Sequence, residues 1–252
     1  MFFLSDFMIN TILYENKKVI LIGTAHISKK SKQLVKETIE KEKPDIVGIE
    51  LDINRLRSIM SKEKKKEIQF KDVFKAKKPV LFMVYYVLHK FQKGIASKFD
   101  TTPGEEMIQG VLSAKENDCK LILLDRDAEF TLEKLIKNLT FKDKMRLLFG
   151  GFSIKKELGK DFDINVLLKS VDDEESNKKV NKILNIFMKK HKTLKRIMID
   201  ERDQFMAFGI RETLKDPEIN SMVVVVGAGH IEGLSKEIFN NKINVKKILS
   251  IK

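Results

Sequence analysis

The stretch 20–26, Ile-Leu-Ile-Gly-Thr-Ala-His, decides the fold, and the stretch 223–230, Val-Val-Val-Val-Gly-Ala-Gly-His, repeats its pattern near the other end of the chain. Each is an apolar, mostly β-branched run that stops at a glycine and reaches a histidine three residues later. Such runs are typical of strands buried on both faces, as in parallel sheets. We therefore expect His26 and His230 at the carboxyl edge of one sheet, where open α/β folds bind their ligands.

The segments around these strands predict an α/β fold with a mostly parallel central sheet flanked by helices. A short strand at 8–15 and a turn precede the first histidine strand, and a helix at 28–42 leads to a second buried strand at 45–49. The same periodicities predict further strands at 120–124, 222–226 and 244–251, the last at an edge, and helices at 54–60, 104–117 and 196–214. The matched strands also suggest an internal repeat of two halves.

The net charge of +13 is concentrated in two segments, which we interpret as helical insertions within one domain spanning 1–252. Residues 61–98 carry +8 and residues 139–200 carry +6, so the rest of the chain sums to −1. A basic surface for nucleic acid or anionic lipid is one interpretation, but no nucleic-acid-binding motif accompanies the charge. Solvated helices are therefore the favoured interpretation, and nucleic acid is the weaker one.

The single cysteine, Cys119, excludes an intrachain disulfide and favours a reducing compartment. The N-terminus lacks the basic and apolar regions of a signal peptide. The longest apolar run, residues 79–88, is about half of the roughly 20 residues that a membrane span needs. We expect a cytoplasmic protein without a transmembrane span. Association with a membrane surface, or with a second copy to form a homo-oligomer, stays open.

Charged residues follow two of the predicted strands directly. Glu50-Leu51-Asp52 ends the strand at 45–49, and Asp125-Arg126-Asp127 ends the strand at 120–124. Because parallel strands share their carboxyl edge, both groups are expected close to the two histidines.

Arg202 lies in an apolar stripe of the predicted helix at 196–214, among Met198, Phe205 and Met206. Glu201 flanks the same face. A buried arginine must be paired, so a carboxylate or an anionic ligand group is expected beside Arg202.

Six short motifs together resemble those of the TraB/PrgY pheromone-shutdown family. They are Gly23–Ser28, Pro44–Asp52 with Arg55-Leu56, Gly104-x-Glu106-Met107, Asp125–Asp127 with Thr131-Leu132, Glu201–Asp203, and Gly227–His230. This family is related to the Tiki proteases and, more distantly, to the erythromycin esterase and ChaN-like proteins. Many archaeal and bacterial TraB proteins carry a carboxyl-terminal membrane region, which is not expected here.

The resemblance implies an α/β fold in which two G-x-x-H histidines, a glutamate and an arginine share one site. It also implies divalent-metal-dependent hydrolysis of the type found in the Tiki branch. Two imidazoles with one or two carboxylates form a ligand set for zinc, manganese, cobalt or iron, depending on geometry, and manganese, cobalt or zinc is the expected metal. A metalloprotease or esterase acting on a peptide or small-molecule substrate is therefore the leading functional hypothesis.

The hypothesis assigns a role to each candidate residue. His26, His230 and Glu106 are the expected metal ligands, and Glu50 is the expected general base or a further ligand. Arg126 or Arg202 is expected to hold an anionic substrate group or a developing oxyanion. Asp52, Asp125 and Glu201 complete the set of candidate site residues.

Two further alternatives remain open beside the nucleic-acid interpretation. A regulatory protein would use the same cleft to bind a peptide or an anionic ligand without turnover. A metal-free site would instead use the two histidines for acid–base chemistry or hydrogen bonding.

Overall fold

The centre of the molecule is a five-stranded sheet in the order β1-β2-β5-β3-β4. The computed structural model describes residues 8–24, 29–60, 104–146 and 188–251. The strands are β1 Met8–Tyr14, β2 Lys17–Thr24, β3 Ile46–Ile49, β4 Lys120–Leu123 and β5 Ser221–Gly227. Strand β1 runs antiparallel to β2, and the other neighbouring pairs are parallel. The predicted α/β fold with a mostly parallel sheet is confirmed.

Helices cover both faces of this sheet. They are α1 Lys29–Glu42, α2 Ile53–Met60, α3 Glu105–Glu116, α4 Ala128–Asn138, α5 Lys192–Lys195, α6 Glu201–Leu214, α7 Ile231–Glu237 and α8 Val245–Ile248. Apolar side chains of α1 and α3 form the core on one face, and those of α6 and α7 form the core on the other. A π-helical turn, Arg196–Asp200, joins α5 to α6, and a 3₁₀ turn, Ala228–His230, joins β5 to α7.

The first two strands form a tight hairpin. Its two turn residues, Glu15 and Asn16, have φ angles of 49° and 64°. Two consecutive residues with positive φ are the signature of a type I′ turn, whose twist suits a two-residue hairpin.

The predicted edge strand at 244–251 is wrong. This segment forms the single-turn helix α8, and the Asn244 side chain caps it by accepting a hydrogen bond from the Lys247 backbone N–H at 3.0 Å. Side chains of α4 and of the loop after β4 donate hydrogen bonds to carbonyl groups of this segment. These carbonyl groups therefore do not need a neighbouring strand as a partner.

The parallel strands bring four carboxyl ends to one edge of the sheet. In the register of the sheet, Thr24 pairs with Gly227, and Ile49 pairs with both Val225 and Leu123. Helices α1 and α3 lead from this edge back to the start of the next strand, so their N-termini also lie at the carboxyl edge. Residues that follow β5, β3 and β4 therefore come together there.

Several predictions fall on residues outside the described ranges. They include the insertion at 61–98, most of the insertion at 139–200, and His26. The proposal of a single domain over 1–252 stays a prediction. Among the described helices, none is both long enough and apolar enough to cross a membrane.

Candidate functional site

Arg202 is the centre of a buried polar cluster at the carboxyl edge of the sheet. Its Nε donates to Asp125 Oδ1 at 3.0 Å and its Nη2 donates to Asp125 Oδ2 at 2.7 Å. The same Nη2 forms an ion pair with Glu50. The Arg202 side chain is 13% exposed, and those of Glu50 and Asp125 are 6% and 4% exposed. The sequence predicted a carboxylate or an anionic ligand group beside Arg202, and the structure places two carboxylates there.

Glu50 is fixed by the strand next to its own. Its backbone N–H donates to Val225 O at 3.0 Å, and its Oε2 accepts from the Gly227 backbone N–H at 2.6 Å. Both contacts follow from the parallel pairing of β3 with β5. Glu50 thus holds the turn after β5, which carries His230, against Arg202.

His230 lies between two carboxylates. Its Nδ1 is 2.6 Å from Asp203 Oδ1, and its Nε2 is 3.3 Å from Glu50 Oε1. The Nε2 atom also lies 3.2 Å from Arg202 Nη1. The ring is buried, so these groups define its electrostatic environment.

The two carboxylates control the protonation of His230. Burial alone lowers the pKa of a histidine, but here the charge of Glu50 and the hydrogen bond to Asp203 outweigh burial and raise the pKa of His230 to about 9. The protonated ring donates to Asp203 and faces Glu50. Burial likewise opposes the charge of Arg202, but Glu50 and Asp125 raise the pKa of Arg202 above its ordinary value.

We expect a pH-dependent stability from this histidine in metal-stripped protein. Because the folded pKa of about 9 exceeds the unfolded value of 6.5, the contribution is fully present below pH 6.5 and is lost as the pH rises to about 9. It should amount to about 3 kcal/mol of the free energy of unfolding. Urea unfolding across this range measures it, with His230→Gln as the control. An equal pH dependence in that variant would contradict the assignment.

Two charged tripeptides interlock to build the site. Asp125-Arg126-Asp127 follows β4, and Glu201-Arg202-Asp203 begins α6. Asp125 pairs with Arg202, and Arg126 pairs with Glu201 through a contact of 3.0 Å between Nη1 and Oε2. The third residue of each tripeptide has a separate task. Asp127 caps α4 by accepting from the Phe130 N–H at 2.8 Å, and Asp203 orients His230.

The Arg126–Glu201 pair belongs to a second cluster that faces the protein interior. Arg126 donates through Nε to Thr131 Oγ1 at 3.1 Å, and through Nη2 to Ile197 O at 2.6 Å. Lys134 Nζ lies 2.8 Å from Glu201 Oε2 and donates to Ile248 O at 2.7 Å. The Arg126 and Lys134 side chains are 1% and 2% exposed. This cluster anchors the carboxyl end of α8 through the Ile248 carbonyl.

The other predicted site residues lie at the same edge or outside the described ranges. Asp52 caps α2, because its Oδ1 accepts from the N–H groups of Asn54 and Arg55 at 2.8 and 2.9 Å. Its Oδ2 is buried without a hydrogen-bond partner. Glu106 is 3% exposed in the first turn of α3, one turn before Gly110, which packs on Ile49 at the end of β3.

Asp203 is the site residue that sequence reasoning missed as a functional group. A signal was present, because Asp203 precedes Met206 and Ala207 by three and four residues and so shares their buried stripe. Gly233 makes room for it: a Cβ atom at position 233 would lie 1.9 Å from Asp203 Oδ2. The carboxylate can reach the imidazole because α7 carries a glycine at this point.

Comparison with known proteins identifies the family. The model of the TraB/PrgY/gumN family matches residues 9–238, which include every described residue of this site. The chain belongs to the TraB/PrgY/gumN family. The resemblance drawn from the six motifs is thus confirmed.

Relatives in archaea and mammals match over nearly the whole chain. An uncharacterized protein of Methanocaldococcus jannaschii is 33% identical over 238 residues, which are 93% of this chain and 57% of that protein. A TraB domain-containing protein of Homo sapiens is 26% identical over 261 residues, and one of Mus musculus is 25% identical over the same length. Each of these two alignments covers 94% of this chain and 66% of the relative. The chain thus spans about three-fifths of the length of these relatives.

Proposed function

We propose that this TraB-family chain is a hydrolase of the peptidase or esterase type, with Glu50, Arg202 and His230 at its reaction centre. The observation that carries the proposal is the Asp203–His230 pair, which meets Glu50 and Arg202 at the carboxyl edge of the sheet. A carboxylate base, an imidazole and a fixed cation at one edge are groups that catalyse acyl transfer.

Each side chain has a task that its contacts support. Glu50 is the general base that accepts a proton from the attacking water. Asp203 holds the His230 ring through Nδ1 and leaves Nε2 directed toward Glu50. The positive charge of Arg202 is the electrostatic stabiliser of the negative charge that develops on the carbonyl oxygen. Asp125 holds the Arg202 guanidinium through two hydrogen bonds, so this positive charge is fixed in place before substrate arrives.

The charge balance of this edge supports a divalent metal ion. Four carboxylates of the edge, with exposures of 6% or less, are Glu50, Asp52, Asp125 and Asp203. Among the described residues, the buried cations that contact them are Arg202 and His230. The buried Oδ2 of Asp52 has no hydrogen-bond partner, which supports a further cation at this edge. Contact of His230 Nδ1 with Asp203 is also the arrangement that metal-binding histidines use to orient Nε2.

We propose His26, His230 and Glu106 as the ligands of manganese, cobalt or zinc. Such an ion would supply Lewis-acid polarisation of the substrate carbonyl. The described residues contain no ready-made group of three or more metal-binding side chains, so the set draws on His26, which lies outside them. Binding at His230 Nε2 would compete with the contact of that atom with Arg202.

Metal content and hydrolysis together test the proposal. We expect the protein purified without chelator to hold one equivalent of metal, and the His26→Ala/His230→Ala double variant to hold almost none. Glu50→Gln should retain the fold and lose hydrolysis of a peptide and ester panel by roughly a hundredfold or more. Elemental analysis and initial rates with and without added manganese, cobalt or zinc measure both effects. Full metal occupancy in the double variant would refute the ligand assignment.

A ligand-binding regulator is the second candidate. The observation that favours it is the mutual satisfaction of Glu50, Asp125, Arg202, Asp203 and His230, which pair with one another without a ligand. Such a network of paired side chains can shape a binding cleft without taking part in a reaction. Ligand binding without any metal- and Glu50-dependent hydrolysis would favour this function.

A further inference from the structure

Arg55 stands at the rim of the site and its guanidinium is available to a ligand. It lies in the first turn of α2, and its side chain is 39% exposed. Its Nη1 is 3.8 Å from Asp125 Oδ2, which is too far for a hydrogen bond. Asp125 is already bound at both oxygens by Arg202. Arg55 is thus drawn toward the site by charge, and no hydrogen bond between described residues uses its guanidinium.

Among the described residues, the buried cations of this region are committed to the protein. Arg202 binds two carboxylates, and Arg126 binds Glu201, Thr131 and backbone carbonyls. Lys134 binds Glu201 and the carbonyls of α8. These three side chains are 13% exposed or less. The role of holding an anionic substrate group, which the sequence assigned to Arg126 or Arg202, therefore suits Arg55 better.

The backbone that carries Arg55 is held from both sides. Asp52 caps the helix by accepting from the Arg55 N–H itself, and Asn54 Nδ2 donates to Asp127 Oδ2 at 2.9 Å. This anchoring fixes the start of α2 against the loop after β4. A rigid backbone lowers the conformational entropy that Arg55 loses when it binds a ligand.

We propose that Arg55 binds an anionic group of the substrate, a carboxylate or a phosphate, at the rim of the site. A planar guanidinium offers paired N–H donors that match both groups. Only the identification of the bound anion as part of a substrate rests on the proposed function, since anion binding itself requires neither metal nor turnover.

The experiment uses two arginines of one helix. Arg57 is exposed and lies two residues farther along α2, so it faces another direction. Succinate and inorganic phosphate are titrated separately into metal-stripped protein, followed by NMR or calorimetry, at constant ionic strength. We expect Arg55→Gln to weaken the preferred anion about tenfold, because a charge-assisted hydrogen-bond pair is lost. Arg55→Lys should have an intermediate effect, and Arg57→Gln should stay within about twofold.

A second measurement separates this inference from the proposed function. The metal-loaded protein is assayed with 4-nitrophenyl hydrogen succinate and with 4-nitrophenyl butyrate, which differ in one terminal carboxylate. Arg55→Gln should raise KM for the succinate ester about tenfold and leave the butyrate ester unchanged. Absence of turnover with intact Arg55-dependent anion binding would refute the hydrolase alone. Unsaturable binding of both anions to the wild type, or equal effects of Arg55→Gln and Arg57→Gln, would overturn the inference.

Discussion

Replacing Arg202 with methionine should lower the free energy of unfolding by about 3–5 kcal/mol and abolish turnover. The variant leaves the Glu50 and Asp125 carboxylates buried, at 6% and 4% exposure, without their shared cation. A buried charge without a partner is far more destabilising than the loss of one hydrogen bond. Chemical denaturation of the metal-stripped proteins measures the stability, and ester hydrolysis measures the turnover.

Two controls distinguish charge from packing in this prediction. Arg211→Met alters an arginine of the same helix that binds the Asn240 carbonyl, and it should be much milder. Adding Glu50→Gln and Asp125→Asn to Arg202→Met removes the stranded charges and should recover a large part of the lost stability. If the triple variant is as unstable as Arg202→Met alone, the carboxylates are not the cause.

Much of the fold follows from local patterns because each pattern has a strong physical cause. The apolar runs ending at Gly23 and Gly227 become β2 and β5, which lie side by side as parallel neighbours in the sheet. The segment 244–251 is an exception, because its pattern of apolar and polar residues is compatible with a short helix as well as with a strand. Asn244 decides the outcome by capping the turn. Single-turn elements of this kind depend on tertiary contacts that a local pattern does not contain.

The location of the candidate site could be predicted from the sequence, but the ion pairs between its residues could not. Strand ends gave Glu50 and Asp125, and the apolar stripe of α6 gave Arg202. The partner of each charged residue depends on the direction in which the side chains of the loop after β4 point. The Arg126 side chain points to the interior and pairs with Glu201, which is 75 residues away in sequence. The local spacing of residues does not predict that direction.

The second cluster has its own large expected effect. Glu201→Gln should destabilise the protein by about 3 kcal/mol, because it leaves Arg126 and Lys134 buried with only neutral acceptors. Loss of the Glu201 charge should also destabilise α8 locally, because its Ile248 carbonyl accepts hydrogen bonds from both Arg126 and Lys134. Denaturation curves measure the first effect, and hydrogen exchange of the amides in 245–248 measures the second.

Arg196→Gln is the matched control for Glu201→Gln. Arg196 binds the other oxygen of the same carboxylate at 2.9 Å, but its side chain is 46% exposed. Water can replace that contact, so its removal should change stability by less than about 1 kcal/mol. Equal effects of the two variants would mean that the Arg126–Glu201–Lys134 contacts are not a buried charge network. A large effect of Glu201→Gln alone would show that the α6 tripeptide stabilises α8 through Glu201 while it serves the proposed reaction centre through Arg202 and Asp203.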